Sequence, residues 1–201
     1  MPKKGQWYMG LESNVVLERD MRKGLEDAKS AQYFYNASFG LYDWLSFDGK
    51  AGLGDLEFGT ADMGTLDYDP GFAGGYGLRF KLYDDQKDSI KAILGFHHIS
   101  DHPPSERIND VSYAAVYDEW QMSFLVSKRI RAFQPYLGAK ASQLFVIRRD
   151  SLQSDWSWNG SDDHFGVVAG SSINLNSRWF INLEGRLIDE NAFSVAISYK
   201  D

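Results

Sequence analysis

The chain contains no cysteine, which excludes thiol nucleophiles, disulfide staples and thiolate metal sites. It has no run approaching 18 apolar residues, so it has no transmembrane helix. Its mean hydropathy of −0.40 is compatible with a membrane barrel, whose strands alternate apolar and polar residues. It lacks an excess of basic residues: 21 Lys and Arg stand against 28 Asp and Glu, a formal charge of −7. A general nucleic-acid binder, which needs a basic face to displace counterions, is thereby excluded. Proline is scarce at 5 residues, while glycine reaches 19 and aromatics 15 % of the 201 positions; this balance points to β-structure. Met1-Pro2-Lys3-Lys4-Gly5 is not followed by an apolar segment. No leader peptide is therefore expected in this chain, which reads either as cytosolic or as a mature form. The length fits one domain, 1–201.

What is present is a period of two, repeated along the chain. Tyr33, Tyr35, Phe39 and Leu41 alternate with Gln32, Asn36 and Ser38. Trp179, Ile181, Leu183 and Leu187 alternate with Asn182, Glu184 and Arg186. Successive strand side chains point to opposite faces, so each segment has one apolar and one mostly polar face. Ten such segments are expected, at roughly 7–18, 30–41, 44–58, 71–84, 88–101, 112–128, 132–149, 163–175, 178–189 and 192–200. Most reach the ~9–11 residues a tilted strand needs to cross a bilayer. The connections alternate too. Short turns at Tyr42-Asp43, Asp84–Lys87, Lys128–Arg131 and Asn176-Ser177 interleave with long loops at Asp20–Ser30, Gly59–Pro70, Asp101–Asp110 and Arg149–Asp162; only the last connection of the long-loop set, near Asp189–Asn191, is short. Short turns at one rim and long loops at the other are a feature of outer-membrane barrels. Trp7, Phe39, Trp44, Phe124, Phe133, Trp179 and Tyr199 fall near the short-turn rim, and Tyr33, Phe72, Phe96, Phe145, Phe165 and Phe193 further up. Two aromatic belts are what anchoring at two headgroup levels requires.

The stretch Gly40–Gly54 resembles the tight turn and returning strand of small bacterial outer-membrane β-barrel proteins. Lys128–Ala139 looks like a second such turn, and Phe193-Ser-Val-Ala-Ile-Ser-Tyr199 resembles their closing strand. The resemblance implies an all-β fold: a ten-stranded antiparallel up-and-down transmembrane β-barrel in a bacterial outer membrane, both termini periplasmic. It also implies contact with membrane lipid and lipopolysaccharide and recognition by the barrel-assembly machinery. That family usually ends in an aromatic residue, whereas this chain ends in Lys200-Asp201.

With the apolar faces turned outward, the lumen is expected to be lined by Glu12, Asp48, Glu119 and Glu184 and by Lys50, Arg79, Lys81, Lys91, Lys140 and Arg186. Opposite charges on neighbouring strands suit a salt-bridged plug; the excess of bases would also suit a narrow pore with weak anion preference. Two rim constellations carry possible chemistry. Asp67-Tyr-Asp69 and Asp162-Asp-His164 are similar to the Asp-x-Asp and Asp-x-His pairs of the omptin family of outer-membrane proteases. That resemblance implies Asp67, Asp69, Asp162 and His164 as a catalytic set, with His164 as a general base beside a carboxylate. His97 and His98 face opposite sides of a strand, and Pro103-Pro104 argues against a helix that would let His98 and His102 share a metal, so these read as loop histidines. The expectation is a non-enzymatic outer-membrane barrel, without cofactor or metal. The competing readings are an omptin-like protease and a soluble lipocalin-like barrel with its apolar faces inward.

Overall fold

The computed structural model describes residues 1–22, 24–61, 63–85, 87–152 and 155–201. The chain folds into twelve strands: β1 (Trp7–Arg19), β2 (Ala28–Tyr42), β3 (Leu45–Thr60), β4 (Gly64–Asp85), β5 (Ile90–His102), β6 (Glu106–Ile108), β7 (Val111–Lys128), β8 (Phe133–Asp150), β9 (Ser157–Gly160), β10 (Phe165–Asn174), β11 (Trp179–Leu187) and β12 (Asn191–Lys200). Ten of them form a closed antiparallel ring, and the first and last strands meet with Tyr8 opposite Lys200. Closure removes the unpaired sheet edges that would template aggregation. The short β6 and β9 are additions above the ring, paired with the upper parts of β7 and β8.

Faces follow the alternation. Leu183 is 41 % exposed on the outside, while the next residue, Glu184, accepts a hydrogen bond from Tyr136 Oη at 2.9 Å inside the lumen. A soluble ligand-binding barrel would place these two the other way round. Trp7, Trp44, Phe133 and Trp179 stand exposed near the short turns, and Tyr33, Phe72, Phe165 and Phe193 at a second level. Edge and tilted ring contacts fix the lower belt, with Trp7–Phe39 centroids at 4.6 Å and Trp179–Tyr199 at 5.3 Å.

The segment expected to be a long loop at Gly59–Pro70 is instead the tip of a tall hairpin, with β3 and β4 paired up to Thr60 opposite Gly64. Gly64 adopts φ +73°, which a glycine tolerates without strain, and Thr60 Oγ1 accepts the Met63 amide at 3.1 Å. The expected loops at Asp101–Asp110 and Arg149–Asp162 likewise contain β6 and β9. Gln86, within the expected Asp84–Lys87 turn, lies outside the described residues.

Polarity inverts along the barrel axis. Over most of its height the exterior is apolar and the interior polar. Above the level of Asp101 and Arg19 the interior becomes a core of Leu25, Ala28, Leu56, Phe58, Leu66, Tyr68, Ala115, Tyr117, Leu144 and Val146. The outer face there carries exposed charges, among them the Lys29–Glu57 ion pair, Asp67 and Asp69. The upper part is thus built like a water-soluble β-domain seated on an inside-out barrel. A backbone bridge from Met21 to Ser161 ties the segment after β1 to the end of β9 and helps close this upper part.

Candidate functional site

The lumen holds two zones. The lower one is a cavity of about 570 Å³ reaching down to the short-turn end. Glu12, Asp48, Lys50, Arg79, Lys81, Lys91, Glu119, Glu184 and Arg186 all line it. Its charges are paired, two of the pairs bridging strands and the third lying along β11: Lys50 donates to Glu12 at 3.0 Å, Arg79 Nε to Asp48 at 2.6 Å, and Arg186 Nη1 lies 3.3 Å from Glu184. Lys140 sits above the cavity, fully buried.

The upper zone is an ionic layer across the lumen. Its cations are Arg19, Lys140 and Arg186; its anions are Glu119, Asp189 and Glu190. All six are buried. Arg19 Nη1 lies 3.0 Å from Asp189, 3.5 Å from Glu190 and 3.7 Å from Glu119. Lys140 Nζ contacts Glu190 and stands 2.9 Å from Asp189. Arg186 donates from Nε to Glu190 at 2.6 Å and from Nη2 to Asn14 Oδ1 at 2.6 Å. From Asn14 the network runs on through Gln32 to Asp101, each link 2.6 Å. Tyr117 Oη donates to Glu119 at 2.9 Å, joining the layer to the apolar core above it. Three charges of each sign leave this layer neutral, which a desolvated cluster requires.

Arg19, Asp189 and Glu190 are the members that strand parity does not reveal. The pairing of β1 shifts between Val16 and Glu18, so Leu17 and Glu18 are both exposed and Arg19 turns inward. Such a shift is the signature of a β-bulge, which re-aims the side chains beyond it. Asp189 and Glu190 come from the β11–β12 turn, entered through Ile188 at φ 85°. For a β-branched residue this is a strained conformation, held here by the ion pairs that follow it. Gly166 makes room for the turn: a Cβ there would lie 1.8 Å from Asp189 Oδ1. Burial pushes the Glu190 carboxyl up, but Arg186, Lys140 and Arg19 outweigh it and hold the group below the usual carboxylate range.

The two rim constellations sit on different walls, Asp67 and Asp69 on β4 and Asp162 and His164 ahead of β10. Asp67 and Asp69 are exposed, pointing away from the interior that Leu66 and Tyr68 fill. Across the barrel, Asp162 is exposed and the His164 Nε2 is 2.8 Å from Arg22 Nη2, a cation rather than an orienting carboxylate. His97, His98 and His102 all belong to β5 and are not loop residues. His97 faces Asp48 in the lumen at 3.7 Å, whereas His98 pairs with Asp118 at 2.9 Å against Trp120, and His102 meets Ser100 at 3.0 Å. Among the described residues, Glu18, Asp20 and Asp27 bring carboxylate oxygens within 4.8 Å at the outer rim, all three exposed.

No protein-family model matches the chain, and no curated protein matches it by sequence. Solved structures do match in fold. The β-domain of the Bordetella autotransporter BrkA aligns with a TM-score of 0.50 at 12 % identity, covering 98 % of this chain and 99 % of that one. The transport unit of the autotransporter AIDA-I from Escherichia coli gives 0.49 at 11 % identity over 98 % and 90 %. Ail, the attachment invasion locus protein of Yersinia pestis, gives 0.46 at 12 % identity over the full length of both chains. The fold is that of the bacterial outer-membrane β-barrels: all-β, antiparallel and closed on ten strands.

Proposed function

We propose that the chain is a closed, non-enzymatic barrel of a bacterial outer membrane, which anchors a rigid β-extension above the lipid and does not conduct. The observation that carries this reading is the double closure of the lumen. A neutral ionic layer lies beneath an apolar core that reaches from β3 and β4 across to β8. An ion crossing it would have to leave water twice, once through side chains already paired and once through hydrocarbon. The axial inversion of polarity supports a membrane boundary at the height of the ionic layer, with lipopolysaccharide as the lipid at the upper belt and the assembly machinery as the route of insertion.

Planar-bilayer recording of the full chain is expected to show no unitary steps above the bare-membrane baseline. Steady steps, shifted in ion preference by Lys81→Glu or Arg186→Glu, would show the lumen to be a pore. The orientation has its own test at mid-height of the shortest wall. Leu183→Arg is expected to lower folding stability in lipid vesicles by about 2–4 kcal/mol, the cost of a cation on the lipid face near the bilayer midplane. A variant as stable as the parent there would mean that Leu183 does not face hydrocarbon.

A further inference from the structure

The lower cavity has a charge pattern that lumen closure does not use. Five cations line its short-turn end: Lys81 and Lys91 from β4 and β5, Arg129 just after β7, Lys200 at the end of β12, and Lys3 from the N-terminal segment, whose Met1 and Pro2 also form part of the cavity wall. One carboxylate, Asp84, answers both Lys81 at 2.8 Å and Lys91 at 3.7 Å. Of the other acids at this end, Asp43 accepts the Lys4 amide at 3.1 Å, Asp85 accepts the Lys87 amide at 2.8 Å, and Asp201, exposed, follows Lys200 in the chain. Among the described residues neither Arg129 nor Lys200 has a carboxylate within ion-pair distance, and both repel Lys91 across the opening. Lys200 is held in place without an anion. Its Nζ donates to Asn174 Oδ1 and sits 4.7 Å from the Phe180 ring centroid and 5.9 Å from that of Tyr8. Lys200, held by neutral groups, and the exposed Arg129 stand at the mouth of a concave wall where Lys81 and Lys91 share the single carboxylate of Asp84, so a positive potential is focused there.

We infer that this end of the cavity is a binding site for a small organic polyanion, bearing clustered carboxylates or phosphates, that enters from the short-turn side. Arg129 and Lys200 supply the charge-assisted hydrogen bonds and Lys91 the third contact, while the Phe180 and Tyr8 rings hold the Lys200 ammonium in place. About 570 Å³ accommodates a molecule the size of a tricarboxylate. The volume above it ends at the ionic layer, so the site is a blind pocket and not a passage. In that one respect the inference rests on the closed-barrel reading.

Isothermal titration of the detergent-solubilised full chain tests it, with citrate and inorganic phosphate as the two anionic probes and glycerol as a neutral one. Saturable binding of either anion at the millimolar level or tighter is expected, and none of glycerol. The double variant Arg129→Gln with Lys200→Gln is expected to weaken that binding at least about tenfold, two charge-assisted contacts being lost. Lys200→Arg should retain it, and Lys29→Gln, on the exposed pair at the opposite end, should leave it unchanged. Heat-modifiable gel migration of each variant reports that the barrel has formed. Absence of saturable binding by the parent chain overturns the proposal, as does equal binding by a folded double variant. Citrate preference would identify a carboxylate ligand, phosphate preference a phosphate ester. A chain that conducts in bilayers yet binds citrate in the pocket would remove the closed-barrel reading and leave the site standing.

Discussion

Arg19→Ala is expected to destabilise the barrel by about 3–5 kcal/mol, the cost of breaking a buried ionic cluster on one side only. The guanidinium is fully buried, touches all three acids of the layer, and also donates to Ser142 at 2.9 Å and Ser161 at 3.2 Å. Its removal leaves Glu119, Asp189 and Glu190 facing only Lys140 and Arg186, and leaves a space the size of a long side chain. Urea titration of the chain folded in vesicles, read by heat-modifiable migration, measures the loss. The same variant is expected to remain non-conducting, because the apolar core above the layer is untouched. A shift below about 1 kcal/mol, the range of exposed ion pairs, would mean that the cluster is hydrated and does not act as a seal.

Phe58→Ala is the complementary case. Phe58 is 1 % exposed, packs beside Tyr68 with ring centroids 5.7 Å apart, and belongs to the core above the ionic layer. Truncating a buried Phe to Ala costs about 3–5 kcal/mol, through lost transfer energy and a residual cavity. Here the loss is expected to fall on the extension alone. The ring of ten strands keeps its ladder and its ionic layer, so heat-modifiable migration persists. The tall β3–β4 hairpin loosens, and limited proteolysis near its tip accelerates. Collapse of the whole barrel in this variant would show that the upper core and the ring fold as one unit. An unchanged cleavage rate would show that the extension does not depend on that core.

The ring and its facing were legible because the period of two persists for nine or more residues in every wall strand, and because Glu184 beside Leu183 can satisfy only one orientation. The limits of legibility lie where the register shifts. Parity counted up β1 sends Arg19 outward, and only the irregularity after Val16 brings it in. The same happens on β4. Ala73 and Arg79 are inward at odd positions, whereas Leu66 and Tyr68 are inward at even ones, since the pairing shifts around Asp69 and Pro70. A sequence stretch in which the apolar parity flips therefore reads as a loop, which is why the β3–β4 tip was expected to be irregular. The pair Asp189-Glu190, read as a polar turn, gave no sign that it folds inward. The partial signal was Gly166, an inward position of β10 where a Cβ would collide with the Asp189 carboxylate. The histidines of β5 were misplaced for a simpler reason: the two prolines that end the strand lie one residue beyond His102.

The wall is uneven in height. β4 has 22 residues and β11 only 9, a difference of roughly 30 Å along the axis at ordinary rise and tilt. Nine residues are the least that spans hydrocarbon, so the β10–β12 side is the one that senses bilayer thickness, and a thicker bilayer must either be compressed there or lean the molecule over. The hairpin under that load is the one whose turn carries Asp189 and Glu190. The salt-bridged layer that closes the interior thus draws two of its acids from the turn that caps the shortest part of the wall.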